Sequence, residues 1–154
     1  MTAKTAKTPN PEIRGPFSCT VPRTIMAAPE RVFRAWTEPE KARPWLSNGG
    51  DLVLQPYPGG LFFLDMVYGD HTYPHYGRYL QVEADRLLEF TWVSQGTLGK
   101  ESIVRVDFEA EGSGTRVTLT HRGLPDEKLR SDHEAGWQEI LEWLENRLED
   151  RLGD

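Results

Sequence analysis

The stretch HEAGWQEILEWLENRL, residues 133–148, decides how the rest of the chain is read. Trp137, Ile140, Leu141, Leu144 and Leu148 follow the i, i+3, i+4, i+7, i+11 spacing of an apolar helix stripe. Glu139, Glu142, Glu145 and Glu149 cover the other side. One long amphipathic helix is expected over residues 132–152, and its stripe requires a partner surface. The segment before it supplies one. RVTLTH (116–121) and SIVRVDFEAE (102–111) alternate with period two. Val117, Leu119 and His121 share one face of the first, and Val104, Val106 and Phe108 one face of the second. Arg105, Asp107 and Glu109 turn toward water.

Further upstream, LLEFTWVS (87–94) reads as a strand with Leu88, Phe90 and Trp92 on one face. YGRYLQVEA (76–84), LFFLDMVY (61–68) and DLVLQPY (51–57) read as strands, and SCTVPRTIMA (18–27) as the first, with Pro22 marking an edge or a bulge. Between the first strand and the rest lies APERVFRAWTEPEKARPWL (28–46), read as two short helices in tandem. Pro29 suits a first helical turn, and Thr37 is taken as the N-cap of the second helix. SNGG, GDHTYPH and QGTLGKE are taken as loops, the last a flexible one. Short turns cannot make parallel crossovers, so the strands should pair antiparallel. The expected class is α+β: an antiparallel sheet of about six to seven strands packed on a long C-terminal helix, with two short helices after the first strand.

Composition narrows the function. The chain has 154 residues, enough for one domain with a core, and 38% hydrophobic and 27% charged residues. Its net charge of -6 disfavours nonspecific nucleic-acid binding, which needs a basic surface. No apolar run approaches the roughly 20 residues that cross a bilayer, so no membrane partner is expected. The single cysteine, Cys19, fits a reducing cytoplasm and reads as a small buried strand residue. MTAKTAKTPNPEIRGP carries lysines without an apolar stretch and does not read as a signal peptide. Residues 1–17 are expected to be a flexible tail and residues 18–152 one domain.

The run HRGLPDEKLRSDHEAGW (121–137) has the look of a metal or acid–base site. No HExxH or Cys/His spacing supports a metal, and none is assigned. Ser131-Asp132-His133-Glu134 fits a capping box for the long helix, and Asp126 and Glu127 read as a solvated turn. His121 and His133 remain, both expected to point inward. They are either hydrogen-bonded core histidines or polar groups that orient a ligand. Aromatic side chains form the second signal. Trp45, Phe62, Tyr79, Trp92 and Trp137 are either core or pocket wall, since such rings combine apolar area with a polar tip. Asp65 lies on an outer face or is an inward carboxylate. Gly136 allows close packing or leaves room for a ligand. His71 and His75 are placed in a solvated loop at a cavity mouth.

The order of these phrases resembles the SRPBCC superfamily, the START-like or helix-grip fold. Within it the chain is similar to the group named after the activator of the Hsp90 ATPase (AHSA1-like). The phrases are APERVFRAWTEPEKARPWL, PGGLFFLDM, YGRYLQVEADRLLEFTW and GTRVTLTHRGLPDE with HEAGW. The resemblance implies a curved sheet gripping the last helix, with a cavity for an apolar ligand between them. It does not imply one activity. The leading expectation is binding of a small apolar or aromatic molecule by Trp45, Phe62, Tyr79, Trp92, His121, His133 and Trp137, as a monomer or homodimer. No nucleophile–base–orienter set is visible, so no catalytic residue and no cofactor is assigned. The alternatives are a cofactor-free enzyme of the aromatase/cyclase type and an Hsp90-type co-chaperone or stress-response protein.

Overall fold

A computed structural model describes residues 13–149. Seven strands alternate with three helices: β1 (Phe17–Ile25), α1 (Pro29–Thr37), α2 (Pro39–Leu46), β2 (Leu52–Leu54), β3 (Leu61–Tyr68), β4 (His71–Glu83), β5 (Leu87–Trp92), β6 (Ser102–Glu111), β7 (Gly114–Leu124) and α3 (Glu127–Glu149). The strands form one curved antiparallel sheet in the order β1-β7-β6-β5-β4-β3-β2. β1 and β2 are consecutive in sequence yet occupy opposite edges, so α1 and α2 carry the chain across the sheet. Pro22 sits on the edge strand β1, where a missing N–H is tolerated. Cys19 is buried there, as expected.

The helix α3 lies on the concave face. Its stripe of Trp137, Ile140, Leu141, Leu144 and Leu148 is buried in one core cluster with Val21 and Ile25 of β1 and with Val104, Val106, Phe108, Val117 and Leu119 of β6 and β7. Burial of this stripe is the main term holding helix to sheet, at about 1.5–3 kcal/mol for each large apolar side chain. Arg23 of β1 pairs with Glu145 of α3 at the rim. The α1 and α2 turns complete the core through Trp36 and Trp45, which meet edge to face at 4.8 Å.

Four local expectations are corrected. The long helix starts at Glu127, five residues before the expected start. The Asp126 carboxylate accepts from the Leu129 amide at 2.8 Å, so Asp126 is the cap. Ser131 and Glu134 lie inside the helix, and Glu134 accepts from Arg130 at 2.6 Å instead of closing a box. Thr37 is the last residue of α1, not an N-cap. Its hydroxyl donates back to the Phe33 carbonyl at 3.1 Å. GDHTYPH is a hairpin: Gly69, at φ 59°, and Asp70 turn the chain, and β4 begins at His71. Pro74 is accommodated because β5 does not extend alongside it. QGTLGKE carries a short capped turn. It forms a 3-10 turn over Gln95–Thr97, with Ser94 accepting from the Gly96 amide at 3.0 Å and Thr97 closing a capping box. Residues 1–12, most of the expected tail, and 150–152, the expected helix end, lie outside the described residues. Gly15 packs against the backbone of Gly123.

Candidate functional site

A cleft of about 790 Å³ opens between β3, β4, the turn after β5 and the first half of α3. Met66, Tyr73, His75, Trp92, His133 and Trp137 form much of its wall. Strand alternation sends Met66 and, across the hairpin, Tyr73 and His75 to this side. Trp92 ends β5, and α3 presents His133 and Trp137 one turn apart on a single face. Gly136 also lines the cleft, and a Cβ there would meet nothing within 4 Å. Of its two readings, room and not close packing is what the geometry gives.

Behind this wall stands a hydrogen-bonded chain. The Trp137 indole Nε1 donates to His121 Nδ1 at 3.0 Å. An indole N–H can only donate, so Nδ1 carries the lone pair and the proton sits on Nε2. That Nε2–H donates to Ser102 Oγ at 2.8 Å, and Ser102 donates to the Trp92 carbonyl at 2.7 Å. His121 is fully buried, and every polar atom of its ring is used while it is neutral. Burial pushes its pKa well below the usual value, with His133 and His75 adding to the effect. A proton on Nδ1 would also face the indole N–H.

The two outer histidines follow a different pattern. His133 Nδ1 lies 2.7 Å from the Leu129 carbonyl, and His75 Nδ1 lies 2.8 Å from the Tyr73 carbonyl. A carbonyl only accepts, so each Nδ1 carries its proton and each Nε2 holds a lone pair when the ring is neutral. Burial lowers both pKa values, that of His75 to about 4, against the opposing pull of the carbonyl. Ring contacts link the group: His75 to Trp92 at 4.6 Å, Trp92 to Trp137 at 5.0 Å and His121 to His133 at 4.9 Å. Trp92 Nε1 is buried with no acceptor among the described residues.

The seven residues named from sequence divide. Trp92, His133 and Trp137 line the cleft, and His121 stands directly behind Trp137. Trp45 lies elsewhere, donating to the Ala35 carbonyl at 3.2 Å between α1 and α2. Phe62 and Tyr79 pack in the core, with Phe62 stacked on Phe90 at 4.0 Å. Asp65 is on the face opposite Phe62, Leu64 and Met66, although its Oδ1 is buried without a partner. His75, placed in a solvated loop from sequence, is instead a strand residue in the wall. The period-two order His71, Tyr73, His75 was the signal for it. Among the described residues, no group of three His, Cys, Asp or Glu is arranged to hold a metal ion.

Residues 26–149 match the family described as Activator of Hsp90 ATPase homolog 1-like protein. The chain belongs to this family. No curated protein matches it. Among solved structures, protein MLL2253 from Mesorhizobium loti is 23% identical with a TM-score of 0.77, over 88% of this chain and 99% of that one. CalU16 from Micromonospora echinospora is 26% identical with a TM-score of 0.65, over 82% and 73%. PFC0360w, an HSP90 activator from Plasmodium falciparum, is 22% identical with a TM-score of 0.71, over 85% and 95%. The first and third likenesses establish the fold and nothing finer. Among the described residues, no helix is long and apolar enough to cross a membrane.

Proposed function

We propose that this chain binds a small apolar or aromatic molecule in the cleft beside α3. The observation that carries the reading is the aromatic wall of Trp92, Trp137 and Tyr73 joined to two histidines whose Nε2 atoms have no partner among the described residues. Such a wall with a few convergent polar groups is the usual make-up of a small-molecule site. Trp92, His133 and Trp137 touch the ligand in this reading, and His121 holds Trp137 in place. Trp45, Phe62 and Tyr79 support the walls from the core. Two-dimensional NMR titration with fatty acids, polyketides and flavonoids should move resonances of Trp92, His133 and Trp137. The reading fails if every compound leaves them in place.

A second reading is a cofactor-free enzyme of the aromatase/cyclase type. The same two Nε2 lone pairs favour it, because a neutral imidazole within reach of a substrate proton is a competent base. Replacing His75 and His133 together should abolish turnover on any substrate found, and unchanged turnover would remove the reading. The family description also keeps a co-chaperone role in view, for which retention by Hsp90 in a pull-down is the test.

A further inference from the structure

The two histidines of the cleft present acceptors, and its other lining polar side chains, apart from Asp132, are the neutral Tyr68, Tyr73, Tyr76, Ser94 and Gln95. Neither His75 Nε2 nor His133 Nε2 has a partner among the described residues, and neither is among its buried unpaired atoms. Both rings are locked by their Nδ1–H bonds to backbone carbonyls, at 2.8 Å for His75 and 2.7 Å for His133. They cannot present a donor by changing tautomer without breaking those bonds. Among the described residues, no lysine or arginine lines the cleft. Its one lining carboxylate, Asp132, is neutralised by Lys128 at 3.0 Å. A ligand entering here meets two imidazole acceptors, neutral hydroxyl and amide groups and aromatic faces, with no cationic side chain among the described lining residues.

We propose that the cleft selects neutral aromatic molecules carrying a hydroxyl or N–H donor and rejects aromatic carboxylates, an inference that rests on the binding reading above. A hydroxyl donates to a waiting lone pair and so exchanges its donor bond to water for one to the protein. A carboxylate meets lone pairs at both imidazoles and carries a charge that no lining cation offsets, so neutral donors alone replace its hydration. A histidine could rescue it only by taking up a proton. For His75 at neutral pH that costs a factor of about a thousand, the interval between pH 7 and a pKa of about 4. The apolar body of the ligand is held equally well in both cases, so selection falls on the polar group alone.

The test is calorimetric titration of the full chain at pH 7 with three probes sharing one ring system: 2-naphthol, 2-methoxynaphthalene and 2-naphthoate. The expected order is 2-naphthol tightest, the methyl ether weaker by roughly three- to tenfold, as for one neutral hydrogen bond, and the carboxylate weakest. The double variant H75F/H133F keeps two aromatic rings and removes both acceptors. It should bring 2-naphthol to the level of the ether. If that variant does not fold, the three-probe order on the unaltered chain decides alone. Binding of 2-naphthoate as tight as 2-naphthol overturns the selectivity while leaving the cleft a binding site. Absence of binding by all three probes overturns both.

Discussion

Gly136 offers the sharpest test of the cleft, because stability and binding should respond in opposite directions there. It lies in the interior of the 23-residue helix α3, where glycine costs about 0.8–1 kcal/mol relative to alanine through its greater freedom in the unfolded chain. Its φ is not positive, and a Cβ built on it meets nothing within 4 Å. Gly136→Ala therefore gains helix propensity with no steric charge against it. The expected stabilisation of about 1 kcal/mol corresponds to roughly 2–4 °C in Tm for a domain of this size. Gly136→Leu keeps good propensity but extends its branched end into the cleft. It should fold at least as stably as the original chain while weakening 2-naphthol by about tenfold or more. Thermal unfolding followed by far-ultraviolet circular dichroism gives the first quantity and calorimetry the second. A Gly136→Ala chain that melts lower than the original would refute the reasoning, since it would mean that the space beside Gly136 is occupied.

Ser102→Ala removes the acceptor for the His121 Nε2–H and should cost about 1–3 kcal/mol, the penalty for a buried unpaired donor. An unchanged urea midpoint would count against a Ser102–His121 hydrogen bond. Asp126→Ala should cost about 1 kcal/mol as a lost cap, whereas Ser131→Ala should stay within about 0.5 kcal/mol. Equal losses for the two would restore the capping box at Ser131. Acid should destabilise the fold before its carboxylates titrate. His75 titrates at about 4 when folded and near 6.5 when unfolded, so between these values the unfolded chain holds more protons and stability falls as pH drops. His121 and His133, lowered by burial, act in the same direction. His75 alone contributes up to about 3 kcal/mol once pH is below 4. Urea melts at pH 7 and pH 5 should show the first part of this loss, and identical midpoints would count against neutral buried histidines.

The sheet and the helix were legible because each carries its own period. Val104, Val106 and Phe108 alternate, and Trp137 through Leu148 recur by three and four, whatever their neighbours do. Local signals competed less well. Ser131-x-x-Glu134 is a genuine capping pattern, but Asp126 sits one turn earlier beside Pro125 and starts the helix first, after which Ser131 is interior. Pro74 argued for a loop, yet it falls where β4 has a partner on one side only. That single misreading displaced His75 from the wall. Trp45, Phe62 and Tyr79 were named on residue type alone. Only three-dimensional packing separates an aromatic ring facing a cleft from one filling a core. His121 was placed inward by alternation, but its bond to Trp137 joins residues from two elements that no sequence spacing relates.

The placement of β1 beside β7 also has a meaning for synthesis. Cys19 and His121 are paired partners, so β1 leaves the ribosome about 100 residues ahead of the strand it must join, or roughly 5–20 s at ordinary elongation rates. Through that interval the apolar side of β1, with Cys19, Val21 and Ile25, has no sheet to lie on. Pro22 interrupts its row of donors, and Arg23 sets a charge beside it. The residues that blunt this edge in the finished fold are therefore also placed to guard the nascent chain against pairing with a neighbour before its own partner exists.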